Sequence, residues 1–293
     1  ALVGPAAAMI VDLALPMFLL VAAAREVVTG RNWRNLPVVT ALSLLLLANA
    51  LTHLEPLDLV PTAALGIRVG LATLLGLIAL VGGRLVPSFT HNRLMRQGKT
   101  RLPAPAGPLD RVALGLIVTA LMAWSIVPEA GATAMLALAG GLATVIRQLR
   151  WRPHRIGWEP ILLGLHLGYG WLAVGLVLLG SSVLAAGQPS SLAVHALAAG
   201  AVGTLILAVM CRTGLAHTGR VPVGDTRTAV AGLLVTTAAV LRILAEVLPD
   251  HYPSLLDAAA ATWIAGFAMF LIVYTPILVR SSISPKRRPG SPP

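Results

Sequence analysis

The sequence predicts an all-α, polytopic transmembrane helix bundle of about nine spans, and three observations predict it. Hydrophobic residues make up 57% of the 293-residue chain and charged residues only 11%, against about 25% charged in soluble domains. The apolar residues gather into runs of about 20, which at about 1.5 Å per residue cross about 30 Å of hydrocarbon. The loops between the runs alternate between strongly basic and devoid of Lys and Arg, the pattern of cytoplasmic and external loops.

Taken in order, the spans fall near 3–24, 36–52, 62–83, 112–127, 132–149, 160–180, 192–212, 228–248 and 256–279. Pro5 and Pro16 should kink the first, Gly140-Gly141 should break the fifth, and Pro276 should bend the ninth. The segment Gly82–Asn92 reads as the exit and turn after the third. The loops after spans one, three, five and seven and the tail hold 20 of the 22 Lys and Arg, all but Arg68 and Arg242. The opposite loops hold Glu55, Asp58, Glu129, Asp250 and His251. The positive-inside rule puts the basic side in the cytoplasm, so this chain starts in the periplasm and ends inside. Residues 1–280 form the bundle and 281–293 a disordered basic tail. Strand-type alternation is absent, against an outer-membrane barrel. The net charge of +11 does not indicate nucleic acid, because the basic residues are scattered through short loops rather than gathered on one face. A single Cys permits no intrachain disulfide.

The chemistry rests on a few polar residues inside the spans. Arg68, Arg242 and Asp12 are intramembrane charges, and each must be paired or functional. Arg242 has a local partner in Glu246, four residues on. Arg68 has none nearby, and either snorkels outward or binds an anion. His53 and His195 lie at the outer ends of spans two and seven, as metal ligands or as interfacial imidazoles bonded to water. His166 lies about 10 Å deep from the inner face, with Tyr169 one turn on as its expected partner. His217 closes span seven at the inner surface, as a ligand or a solvated turn residue. Met210 and Cys211 are soft sulfur groups that read better as bundle filler than as copper ligands.

These residues also carry a family resemblance. His195-Ala-Leu-x-x-Gly-Ala-x-Gly-Thr204, followed by Met210-x-Arg-x-x-Leu-x-His-Thr-Gly-Arg220, resembles the NnrS family of bacterial membrane proteins. Arg31-Asn-Trp-Arg-Asn-Leu-Pro37, Gly82-Gly-Arg84 with Pro87-Ser-Phe-Thr90, His166-Leu-Gly-Tyr169 with Trp171, and Leu241-Arg242 agree in the same order. The resemblance implies an inner-membrane protein, surrounded by lipid bilayer, that is associated with haem and copper and with the response to nitric oxide. It favours His195 as a metal ligand, keeps His53, His166 and His217 as further metal candidates, and suits Arg242 and Arg68 to haem propionates. Members of about twelve spans open with a Trp-His-x-His-Glu-Met segment that this chain lacks. The chain therefore resembles the last three quarters of that fold, as a fragment or a short member. The rival readings are a small-anion transporter built on buried Arg68, Arg242 and Asp12, and an assembly factor without a cofactor.

Overall fold

The computed structural model describes residues 4–185 and 190–280, so the basic tail 281–293 lies outside the described residues. Among these, nine helices are long and apolar enough to cross a membrane, and no strand occurs. They are α1 (Pro5–Thr29), α2 (Leu36–Leu54), α3 (Ala63–Arg96), α4 (Pro108–Ile126), α5 (Gly131–Leu149), α6 (Pro160–Leu184), α7 (Ser191–His217), α8 (Thr226–Val247) and α9 (Tyr252–Val279). Consecutive helices pack as neighbours through short loops. The core sits on α6, which touches α5, α7 and α8 and receives the inner part of α3. Leu165, Tyr169, Leu172 and Leu176 of α6 are fully buried, whereas α1 buries only Val27 among the described residues.

Three local expectations are corrected. Pro5 is the first residue of α1, where its missing N–H costs nothing, so it starts the helix instead of kinking it. Gly140-Gly141 does not break α5; backbone donors in hydrocarbon have no water to turn to, and both glycines are buried in a continuous helix. The third span does not end near residue 83. It passes through one π-helical turn (Ile78–Gly82) and continues to Arg96, with Pro87 accommodated within it.

A second π-helical segment, Ala196–Gly203, interrupts α7 just after His195. The small residues of α7 admit aromatic rings. A Cβ on Gly200 would lie 2.6 Å from Cδ2 of Trp171, so glycine there is what lets the indole lie against the helix backbone.

Candidate functional site

The Ser191 end of α7, the Val247 end of α8 and the Tyr252 end of α9 converge on a polar cluster. The expected pair within α8 forms, with Arg242 Nη1 donating to Glu246 Oε1 at 2.6 Å. The same oxygen lies 3.7 Å from His195 Nε2. Ser191 Oγ, one turn before His195, donates to Glu246 Oε2 at 2.8 Å. Arg242 Nη2 also reaches the Tyr252 hydroxyl at 3.4 Å, and its guanidinium lies 5.6 Å from the centre of that ring. The side chains of His195, Arg242 and Glu246 are 25%, 21% and 16% exposed. The cluster is thus half-buried, accessible from one side, and combines an imidazole, a cation and a carboxylate that ties them together.

The other two outer candidates lie in separate environments. His53 Nε2 meets Asp12 Oδ2 at 2.9 Å, bridging α1 and α2. Asp12, expected as a buried charge, is 62% exposed on the described surface, which corrects its place in the anion-transporter reading. Arg68 Nε donates to the carbonyl of Ser125 at 3.2 Å. That carbonyl belongs to the last turn of α4, where carbonyls lack intrahelical donors and a cation is favoured. Arg68 therefore caps a neighbouring helix, and among the described residues it shares no hydrogen-bond partner with Arg242, which is bound to Glu246 and Tyr252.

Toward the opposite face of the bundle, near the start of α6, His166 is 4% exposed. Thr90 Oγ1 donates to the Val86 carbonyl at 2.8 Å and so accepts from His166 Nε2, 2.9 Å away. This fixes the tautomer: Nε2 carries the proton and Nδ1 holds a lone pair. Nδ1 is buried without a partner among the described residues, and the ring borders a cleft of roughly 680 Å³ between α6 and α8. Tyr169 is not its partner, contrary to expectation. The Tyr169 hydroxyl accepts from Arg147 Nη1 at 2.8 Å.

Arg147 is the residue that sequence reasoning missed. It ends an apolar run beside Arg150, Arg152 and Arg155, which made it look like one more loop cation, yet it is 5% exposed. Its Nε donates to Asp110 Oδ1 at 2.9 Å, and Nη2 donates to the Gly83 carbonyl at 3.2 Å. Nη1 also reaches the Ala79 carbonyl at 3.4 Å. Ala79 lies in the π-helical turn of α3 and Gly83 directly follows it, where the i→i+5 pattern disturbs the regular backbone ladder. A Cβ on Gly83 would lie 2.5 Å from Nη2, so glycine there leaves room for the guanidinium. Arg150 Nη1 meets the second Asp110 oxygen at 3.2 Å.

His217 is exposed at the end of α7. The residues after it form a helix stop: Gly219 takes φ +74°, Arg220 N donates to the Leu215 carbonyl at 2.9 Å, and Arg220 Nη1 reaches the Ile277 carbonyl at 3.3 Å. Met210 faces outward while Cys211 is buried. Among the described residues no three His, Cys, Asp or Glu side chains are grouped closely enough to hold a metal ion. The family model described as NnrS protein matches residues 1–282. No curated protein and no solved structure matches the chain.

Proposed function

The chain belongs to the NnrS family, and from that membership we propose that it is a haem-associated, multi-pass protein of the bacterial inner membrane that serves the response to nitric oxide. The observation that carries the haem assignment is the convergence of His195, Arg242 and Glu246 at one half-buried outer position. A haem needs an axial imidazole or sulfur ligand, and its propionates need cations below the membrane surface. His195 supplies the first, and Arg242, whose Nη1 is held by Glu246, has the longer-bonded Nη2 for the second, so the residues fit one axial ligand and one propionate. Haem when bound supplies an iron that takes small diatomic molecules such as nitric oxide.

Around that iron the chain's own residues have defined tasks. Glu246 Oε1 lies 3.7 Å from His195 Nε2, close enough to orient the ring electrostatically but too far for a hydrogen bond, so the imidazole keeps a nitrogen that would hold the iron. Ser191 and Arg242 together hold Glu246 in place. Tyr252 keeps the guanidinium at the rim of the bundle. His53, paired with Asp12, and Arg68, bound to the end of α4, are not brought to this cluster. Copper does not fit the described residues, because His166 Nδ1 is a single donor and no ligand group surrounds it.

The test is a haem titration of the detergent-purified chain followed by its Soret absorption. The reading expects saturable binding, weakened in Arg242→Leu with the band position unchanged and lost or shifted in His195→Ala. Binding that ignores both substitutions would remove this cluster from the haem site.

A further inference from the structure

Along α2, α3 and α4 the structure holds a second site, made of two adjoining cavities. One, of roughly 630 Å³, is an apolar groove running between α2, α3 and α4, bordered by Leu44, Leu77, Val118 and Met122. The other, of roughly 520 Å³, opens at its inner end, bordered by Arg84, His91, Arg111 and Arg147 and walled by the Pro103–Gly107 loop. Leu80 and Leu114 border both, so the groove and the basic pocket adjoin at these two side chains. We propose that this composite site binds an anionic phospholipid of the cytoplasmic leaflet, its phosphate held between Arg84 and Arg111 and an acyl chain laid along the groove.

The charge balance supports an anion. The one acid of the basic pocket, Asp110, is already met by both Arg147 and Arg150, and among the described residues neither Arg84 nor Arg111 is in an ion pair. Depth supports a lipid headgroup. Arg84 lies 21 residues into α3 from Ala63, about 32 Å at helical rise, which is the thickness of the hydrocarbon core. Basic pockets between helices on the cytoplasmic side are suited to anionic headgroups, and the loop charges assign this end to the cytoplasm. The neighbouring groove requires an amphiphile rather than a free anion. Haem is an amphiphilic anion too, but the site's one imidazole, His91, borders the basic pocket where the charged headgroup sits, and the groove itself offers only the Met122 thioether. The site is separate from the outer cluster and does not depend on the haem reading.

Native mass spectrometry of the detergent-purified chain with added phosphatidylglycerol or phosphatidylcholine tests this. The expected result is selective retention of phosphatidylglycerol, reduced about thirty-fold in the Arg84→Gln/Arg111→Gln double variant. Leu114→Trp, which narrows the junction, should also release the lipid with both arginines intact. Arg84 and Arg111 are exposed, so the double variant should fold even where Leu114→Trp does not. Equal retention of both lipids, or an unchanged double variant, would overturn the proposal. Displacement by inorganic phosphate would overturn it in favour of a free-anion site, and displacement by haem in favour of a haem site.

Discussion

Arg147 shows what a single residue conceals in such a sequence. The cost of burying a guanidinium is offset only when its donors find partners, and Arg147 finds them on three other helices: Asp110, Tyr169 and the α3 carbonyls. Nothing in the spacing of its neighbours distinguished it from Arg150 or Arg152, because the distinction is made by Asp110 and Gly83, which are 37 and 64 residues away. His166 was legible as a buried polar ring. Its partner was not, since Thr90 is 76 residues distant while Tyr169 stands one turn along the same helix. The Arg242–Glu246 pair could be read directly because it is local. Removing the acid from a buried pair leaves a charge uncompensated, which costs about 3–5 kcal/mol. Asp110→Asn should therefore lower the thermal unfolding midpoint in detergent strongly, whereas Arg152→Gln should change it little. Equal midpoints for Asp110→Asn and the parent would deny that the pair matters to the bundle.

Hydropathy reveals the helices well because each must satisfy its own backbone in hydrocarbon. Their ends and internal turns are less legible, since these depend on what packs beside them. Gly82-Gly83 and Pro87 look like a helix exit, yet α3 continues through a π-helical turn, where the Ala79 carbonyl and the Gly83 carbonyl just after it meet Arg147. The start of α8 is a case where sequence chemistry and structure agree. Asp225 precedes the helix, and its Oδ1 accepts from the backbone N–H and the hydroxyl of Thr228, each at 2.9 Å. The Thr228 backbone N–H is the main cause that holds this carboxyl below its ordinary value of 3.8. Because the folded pKa is the lower one, the cap stabilises the protein above pH 3.8 and loses that contribution as pH falls through the depressed value. Asp225→Ala should cost about 1 kcal/mol at neutral pH. The gap between variant and parent unfolding midpoints should close in acid. A gap that widens on acidification would contradict this role.

For the whole molecule, the loops give an orientation that the helix packing does not. With 20 of 22 Lys and Arg on one side, reporters fused after Arg101 and Arg155 should lie in the cytoplasm and those after Asp58 and Asp250 in the periplasm. A periplasmic signal at Arg101 would overturn the orientation and with it the lipid site. The sequence placed His53, His195, Arg68 and Arg242 toward the outer ends of four spans, since depth follows from counting residues along each span. It did not say which of them meet, because that depends on helix order and rotation about the central α6. The structure brings together only His195 and Arg242, through Glu246. The haem seat proposed here therefore rests on His195 as axial ligand. Magnetic circular dichroism of the ferric, haem-loaded chain tests that claim most directly. The account predicts an imidazole signature that becomes that of a thioether in His195→Met and is unchanged in His53→Ala. A His195→Met protein with the parent's spectrum and the parent's haem content would contradict it.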